Sequence, residues 1–200
     1  MRIGIFGGTF DPPHLGHLIL AERCREAASL DEVWFLPSFQ PPHKLERMLT
    51  RFDTRCELVS LAIVGQPSFK VSRFESEIPP PSFTTETLRH LHERHPQDEF
   101  HLIIGSDSLA DFPAWYHPER IVTQAHLIVV ARPGTELIST NQLAEKIGVA
   151  ASAIHIQLVE SPLIAISSTE IRERVLAGKT IRYLVPRAVE EFIRERRLYS

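Results

Sequence analysis

Three observations predict an α/β fold: a doubly wound parallel sheet with helices on both faces and a helical C-terminal end. Apolar runs alternate with helical patterns along most of the 200 residues, the arrangement of strand–helix–strand units. Two of the runs, "EFHLIIG" and "AHLIVVARPG", are continuously apolar, as parallel strands covered on both faces are. The first run, "IGIF", breaks at Gly7 and Gly8 and leads into a helical pattern. That is a strand, a glycine turn and a helix in succession.

Each element follows from its residues. Arg2 to Phe6 reads as a buried strand. His14 to about Ala28 is helical, with Leu18, Ala21, Cys24 and Ala28 on one face. "EVWFLP" is a strand ended by Pro37, and "SFQPPHKLERMLTRF" a long loop containing Pro41 and Pro42. Thr54 to Val64 is helical and "FKVSRF" a third strand. "IPPPS" is loop, because proline cannot donate to a ladder. "TTETLRHLHERH" is helical with Thr84 or Thr85 as N-cap, and "AIHIQLVE" is a late strand. Near the end, Val185, Val189, Phe192 and Ile193 recur at helical spacing with Pro186 near the first turn. With no internal repeat or linker composition, residues 1–200 read as a single domain.

The composition, 43% hydrophobic and 24% charged, is that of an ordinary globular chain able to bury a core without staples. A net charge of −3 gives no global field for nucleic acid; a polyanionic ligand would need a local cationic site. Cys24 and Cys56 have no metal or redox spacing, and neither a signal-type apolar region nor a run of roughly 18 apolar residues is present. The expectation is a cytoplasmic protein without membrane or nucleic-acid partners. Whether copies associate into a homo-oligomer stays open.

The stretch "GIFGGTFDPPHLGH" carries the chemistry. A glycine turn before a helix aims backbone N–H groups at a phosphate. Gly4, Gly7 and Gly8 do not make G-x-G-x-x-G, and "GKT" at Gly178 lacks the upstream glycine of a P-loop, since position 173 is Glu173. His14 and His17 share one face of the first turn, at the positive end of the helix dipole. Gly16 between them is expected to leave room for a ligand. Two other readings stay open: surface or capping histidines, and a zinc pair lacking a third ligand at a telling spacing. In "ISSTEIR", Ser167 and Glu170 read as a capping box. Ser168 and Thr169 add hydroxyls, and Arg172, one turn on, offers a fork suited to phosphate. A well-capped helix with no further role is the alternative.

"GGTFDPPHLGH" resembles the H-x-G-H signature of the nucleotidyltransferase superfamily, and "ISSTEIR" its ISSTxIR element. Further segments, "QPPHK", "PSFTTETL", "IIGSDSLADFPAWY" and "LVPRAVEEFIRERRLY", are similar to one branch, the bacterial nicotinate-nucleotide adenylyltransferases. The resemblance covers nearly the whole chain. It implies a Rossmann-like sheet and adenylyl transfer from ATP to nicotinate mononucleotide, giving deamido-NAD and pyrophosphate. His14, His17, Lys44 and Arg172 are the implied catalytic groups. Gly7, Gly8, Thr9, Phe10, Gly16, Gly105, Asp107, Ile166, Ser167, Ser168 and Thr169 would bind ATP. His43, Lys44, Phe83, Thr84, Trp115 and Tyr116 would bind the mononucleotide. Mg2+ would be bridged by the ATP phosphates, with no ligand assigned to the protein.

The physical chemistry agrees. A nicotinate ring needs an aromatic face and its carboxylate needs donors. Trp115 offers the face and Thr84 the donor, although Trp115 and Tyr116 are equally readable as packing. Asp107 follows a strand, where nucleotide hydroxyls are held; it is also a candidate helix N-cap. Phe83 stands where the family often has tyrosine, removing a hydroxyl contact. The amide mononucleotide and phosphopantetheine are alternative acceptors, and a non-catalytic nucleotide sensor is a reading from another class.

Overall fold

The opening apolar run forms β1 (Arg2–Gly8), longer than its side chains suggest. Gly7 and Gly8 still pair with Leu36 and Pro37 of β2 (Glu32–Pro37). The computed structural model describes residues 1–40, 49–131, 137–162 and 164–200. β3 (Phe69–Val71), β4 (Glu99–Gly105), β5 (His126–Ala131) and β6 (Ile156–Glu160) complete a parallel sheet in the order β3-β2-β1-β4-β5-β6. β3 stops earlier than "FKVSRF" suggests: after Ser72 N–H reaches Phe35 O at 2.8 Å, the chain turns into a short 3-10 segment, Phe74–Ser76.

Both faces are covered, and the strands sort their side chains by a period of two. Leu102 and Ile104 of β4 join Leu127 and Val129 of β5 on one face, while Ile103, Ile128 and Val130 point to the other. Leu88 and Leu91 of α3 (Thr84–Arg94), Leu109 of α4 (Ser106–Asp111), Ile121 of α5 (Pro118–Gln124) and Leu143 of α6 (Thr140–Ile147) cover the first face. Ala21 and Cys24 of α1 (Leu15–Ala27), with Val59 of α2 (Phe52–Ala62), cover the second. Complete burial of such Leu, Ile or Val side chains stabilises the fold by about 1.5–3 kcal/mol each, which is why unbroken apolar runs occupy the central strands.

α7 (Ser168–Leu176) and α8 (Arg187–Glu195) supply the expected helical end. Val189 and Ile193 of α8, with Val185 just before it, pack against Leu58 and Ala62 of α2 and Ile171 of α7. Three caps differ from expectation: at α4 the N-cap is Gly105, with Asp107 inside the first turn. Phe83, not Thr84 or Thr85, is the N-cap of α3, because Thr85 turns into the core at 1% exposure. At α7, Ser167 Oγ accepts from the Glu170 amide at 3.1 Å, but the Glu170 carboxylate faces Arg174 at 4.0 Å instead of closing the box. No described helix is long and apolar enough to cross a membrane.

Candidate active site

The strand order places the winding reversal between β1 and β4, and in such sheets ligands bind beyond the strands' carboxyl ends at that point. A cleft of about 400 Å³ opens there. Gly7, Gly8 and Thr9 line one part and Gly105 another; Phe83, Thr84, Trp115 and Tyr116 line the far side. The sequence places 73 residues between Thr9 and Phe83 and 105 between Thr9 and Trp115, and the sheet brings them to one cleft. The Phe83 ring stacks on Tyr116, centroids 4.3 Å apart. Trp115 leans on Phe112 at 5.2 Å.

The glycine turn is packed more tightly than the sequence indicates. Phe10 is 1% exposed and folds beneath Gly8, where a Cβ would meet its ring at 3.1 Å. Only the backbone of Phe10 is therefore available to a nucleotide, and it adopts φ 47°, an uncommon conformation for a bulky residue. A Cβ on Gly16 would stand 3.0 Å from His14 Nδ1 and 3.1 Å from its Cε1, so the missing side chain makes room for the His14 ring.

The two imidazoles stack, centroids 3.7 Å apart, with Phe10 edge-on to His17 at 5.0 Å. His17 Nδ1 accepts the His14 backbone N–H at 3.2 Å, so the neutral ring carries its proton on Nε2. Burial lowers the pKa of His14 to about 4, and burial followed by the neighbouring His14 holds His17 well below its ordinary 6.5. Near neutral pH both rings therefore offer N–H dipoles rather than charge. His14 Nδ1 is buried without a hydrogen-bond partner among the described residues. The Leu15 amide is taken by Leu184 O at 2.9 Å, which reduces the free donors of this helix end.

The second element docks on the first. Ser168 Oγ donates to Pro12 O at 2.8 Å. The Arg172 guanidinium donates to Asp11 O, and to Thr169 Oγ1 at 2.9 Å. Residues some 150 positions apart thus meet beside the glycine turn. Ser168 and Arg172 hold that loop in place but do not line the cleft; Thr169 and Arg172 line a separate pocket with Tyr199. Ser167 and Thr169 are exposed, and Ile166 packs into the α2–α7–α8 cluster. Asp107 stands in the exposed first turn of α4, while Ser108 beside it lines the cleft. His43 and Lys44 lie outside the described residues.

The chain is similar in sequence and in fold to known proteins. The cytidylyltransferase-like family model covers residues 5–174. A probable nicotinate-nucleotide adenylyltransferase of Exiguobacterium sibiricum is 42% identical over 200 residues, 100% of both chains. The corresponding protein of Geobacillus thermodenitrificans is 42% identical over all of this chain and 86% of its own. The chain belongs to the nicotinate-nucleotide adenylyltransferase family. In fold it is similar to the Plasmodium falciparum nicotinic acid mononucleotide adenylyltransferase solved with NaAD, with a TM-score of 0.80 at 21% identity, covering 99% of this chain and 97% of that one.

In this adenylyltransferase-family chain, two residues of the site escaped sequence reading. Arg55 is 2% exposed. Its Nε donates to Thr50 O at 2.9 Å, and its two terminal nitrogens to Thr9 O at 2.9 Å and Ser38 O at 2.7 Å. Burial lowers its pKa, opposed first by Asp11, yet a guanidinium remains charged. Asp11, 1% exposed, also accepts the Tyr199 hydroxyl at 2.7 Å. One signal for Arg55 was available: it lies three and four residues before Leu58 and Val59, on the buried stripe of α2.

Glu75 lines the cleft and accepts the Phe39 amide at 3.0 Å. Burial, opposed by that bond and by Arg55, pushes its pKa up from 4.5 to about 7. An acid raised on folding binds its proton more tightly in the native state. Stability is therefore lost as pH rises from about 4.5 to about 7, by up to about 3 kcal/mol. Glu75→Gln is expected to raise the melting temperature relative to the parent at pH 8 but not at pH 5. Equal shifts at both pH values in thermal melts would show that Glu75 does not titrate in this window.

Proposed function

We propose that this chain transfers the adenylyl group of ATP to nicotinate mononucleotide, giving deamido-NAD and pyrophosphate in NAD biosynthesis. The observation that carries the reading is the docking of Ser168 and Arg172 onto the Pro12 and Asp11 carbonyls. It joins the glycine turn, the imidazole pair and a second helix end into one border for a triphosphate. The family membership and the aromatic far wall of the cleft support the acceptor.

A mononucleotide phosphate oxygen attacks the α-phosphorus of ATP in line. The new P–O bond forms as the α–β bridging bond breaks, and pyrophosphate leaves with the electron pair. The attacking oxygen is already ionised, so neither a strong base nor a covalent enzyme intermediate is needed. Catalysis then rests on positioning and on donors aimed at developing charge. The Nε2–H of His17 and the ring of His14 donate to the phosphates, with Arg172 and Lys44 supplying positive charge. Gly7, Gly8 and Thr9, with the Phe10 backbone, pass along the triphosphate, and Gly16 seats His14. Ser167, Ser168 and Thr169 orient phosphates next to Ile166. Gly105 and Asp107 hold the nucleoside, Asp107 at a hydroxyl.

His43, Phe83, Thr84, Trp115 and Tyr116 hold the mononucleotide. Among the described cleft residues, Glu75 offers a carboxylate, and burial favours its neutral form. That donor set fits a Mg2+ carried by the triphosphate and water, since this ion is commonly bound through substrate phosphates. When bound, Mg2+ supplies charge neutralisation on the phosphate oxygens. Residues 1–200 act as one domain in this reading, and the two free, buried cysteines suit the cytoplasm.

Trp115→Ala is expected to raise the KM for the mononucleotide at least about tenfold, the scale of one lost stacking contact, and that for ATP much less. Steady-state kinetics with each substrate varied in turn checks this; equal changes would leave Trp115 a packing residue. The reaction itself is tested by offering ATP, Mg2+ and either nicotinate mononucleotide, its amide or phosphopantetheine while following pyrophosphate. Release with the nicotinate form above the others is expected. Binding of ATP with no release would mark a sensor.

A further inference from the structure

At the end of the sheet opposite the cleft, three metal-capable side chains converge. Glu99 and His101 are two residues apart on β4 and share a face. His126 opens β5 in register with His101. Glu99 Oε1 lies 2.9 Å from His101 Nε2 and 3.3 Å from His126 Nδ1. One ligand atom from each of the three falls within 4.8 Å of the others. A tetrahedral zinc centre with bonds near 2.0–2.1 Å separates its ligand atoms by roughly 3.3 Å, so the side chains already stand close to that spacing.

His101 is 2% exposed, and its Nε2 is buried without an aligned hydrogen bond among the described residues. Glu99 Oε1 is the polar atom beside it, at 2.9 Å. Arg2 Nε lies 3.9 Å from the other Glu99 oxygen, Oε2, leaving Oε1 turned toward the two rings. The His126 ring is 43% exposed at its side chain, which gives an ion a path from solvent.

We propose that Glu99, His101 and His126 form a binding site for one divalent ion of the zinc class, with water in the fourth position. Two imidazoles and one carboxylate suit zinc, cobalt or nickel rather than the harder magnesium. Along β4, the six steps from Glu99 to Gly105 span roughly 20 Å, so the ion acts on the fold and not on the reacting phosphates. It ties the amino ends of β4 and β5 together. The site is independent of the adenylyl-transfer reading.

The test titrates metal-free protein with Zn2+, and with Co2+ to read the tetrahedral absorption bands. The parent is expected to bind one equivalent more than His126→Ala. At a hundredfold excess over Kd it should melt about 5–10 °C higher than without the ion, and His126→Ala should lose that shift. Adenylyl transfer assayed with Mg2+ alone should be the same in both. Glu99→Gln, at an exposed position, repeats the comparison if His126→Ala folds poorly. Because the readout is a difference, ions held by His14 or His17 cancel. Equal stoichiometry and equal melting shifts in parent and variants would overturn the site.

Discussion

His17→Ala is expected to lower kcat by about 10² to 10⁴, the range for one donor lost from developing phosphate charge. The ring is fixed by its stack on His14 and by the edge of Phe10. Its Nδ1 is occupied by the His14 amide, so its useful proton is on Nε2. A glutamine can present an N–H from a similar place, and His17→Gln should recover part of the rate. The substitution also removes the acceptor of the His14 amide, so melting temperature must be measured alongside; a loss of stability near 1 kcal/mol is the scale of one such bond. A near-parental kcat would remove His17 from the chemistry.

The same pair predicts an acid limb. His14 has its folded pKa depressed to about 4 from 6.5. Its contribution to stability is therefore full above pH 6.5 and is lost as pH falls toward 4, by on the order of 3 kcal/mol. Thermal melts between pH 7.5 and 4.5 read this directly, and replacement of His14 by a non-titrating residue should flatten the slope.

Arg55→Met is expected to destabilise the fold by about 3–5 kcal/mol, the range for breaking a buried charge network. At about 2–4 °C per kcal/mol for a chain of this size, the melting temperature falls by roughly 6–20 °C. The guanidinium holds carbonyls of Thr9, Ser38 and Thr50, so its loss strands three acceptors and leaves Asp11 without its buried counter-charge. Arg55→Lys keeps the charge, but one ammonium cannot span the three acceptors reached by a planar fork, and it should restore only part of the stability. Because Thr9 belongs to the turn proposed to pass along the triphosphate, surviving protein should show a raised KM for ATP. A fall of under about 3 °C would show that the clamp does not hold the loop.

Much of this molecule was legible before folding was considered. The continuous runs in β4 and β5 required a sheet covered on both faces, since no one-sided sheet tolerates them. The helical spacing of Val189, Phe192 and Ile193 identified α8, and "GGTFDPPHLGH" with "ISSTEIR" identified the two motif elements. What a linear pattern does not contain is which groups are desolvated and what each one touches. Gly16 reads as space, yet its missing side chain accommodates His14. Phe10 reads as a site residue, yet its ring is core beneath Gly8. The histidines read as a phosphate-facing pair, but that burial keeps them neutral is not written in the motif. Arg55 and Glu75 belong to no motif; the helical stripe marks Arg55 as buried, but what it and Glu75 touch became visible only in the fold.

The sequence by itself determined the layers, the strand–helix alternation and the two motif segments that mark the family, because local periodicity and short motifs encode those. Only the tertiary structure decided the charge states, the burial of Arg55, Asp11 and Glu75, and the meeting of Asp11 with Arg172 across the chain. Those depend on distances between residues far apart in sequence and on the water excluded when they come together.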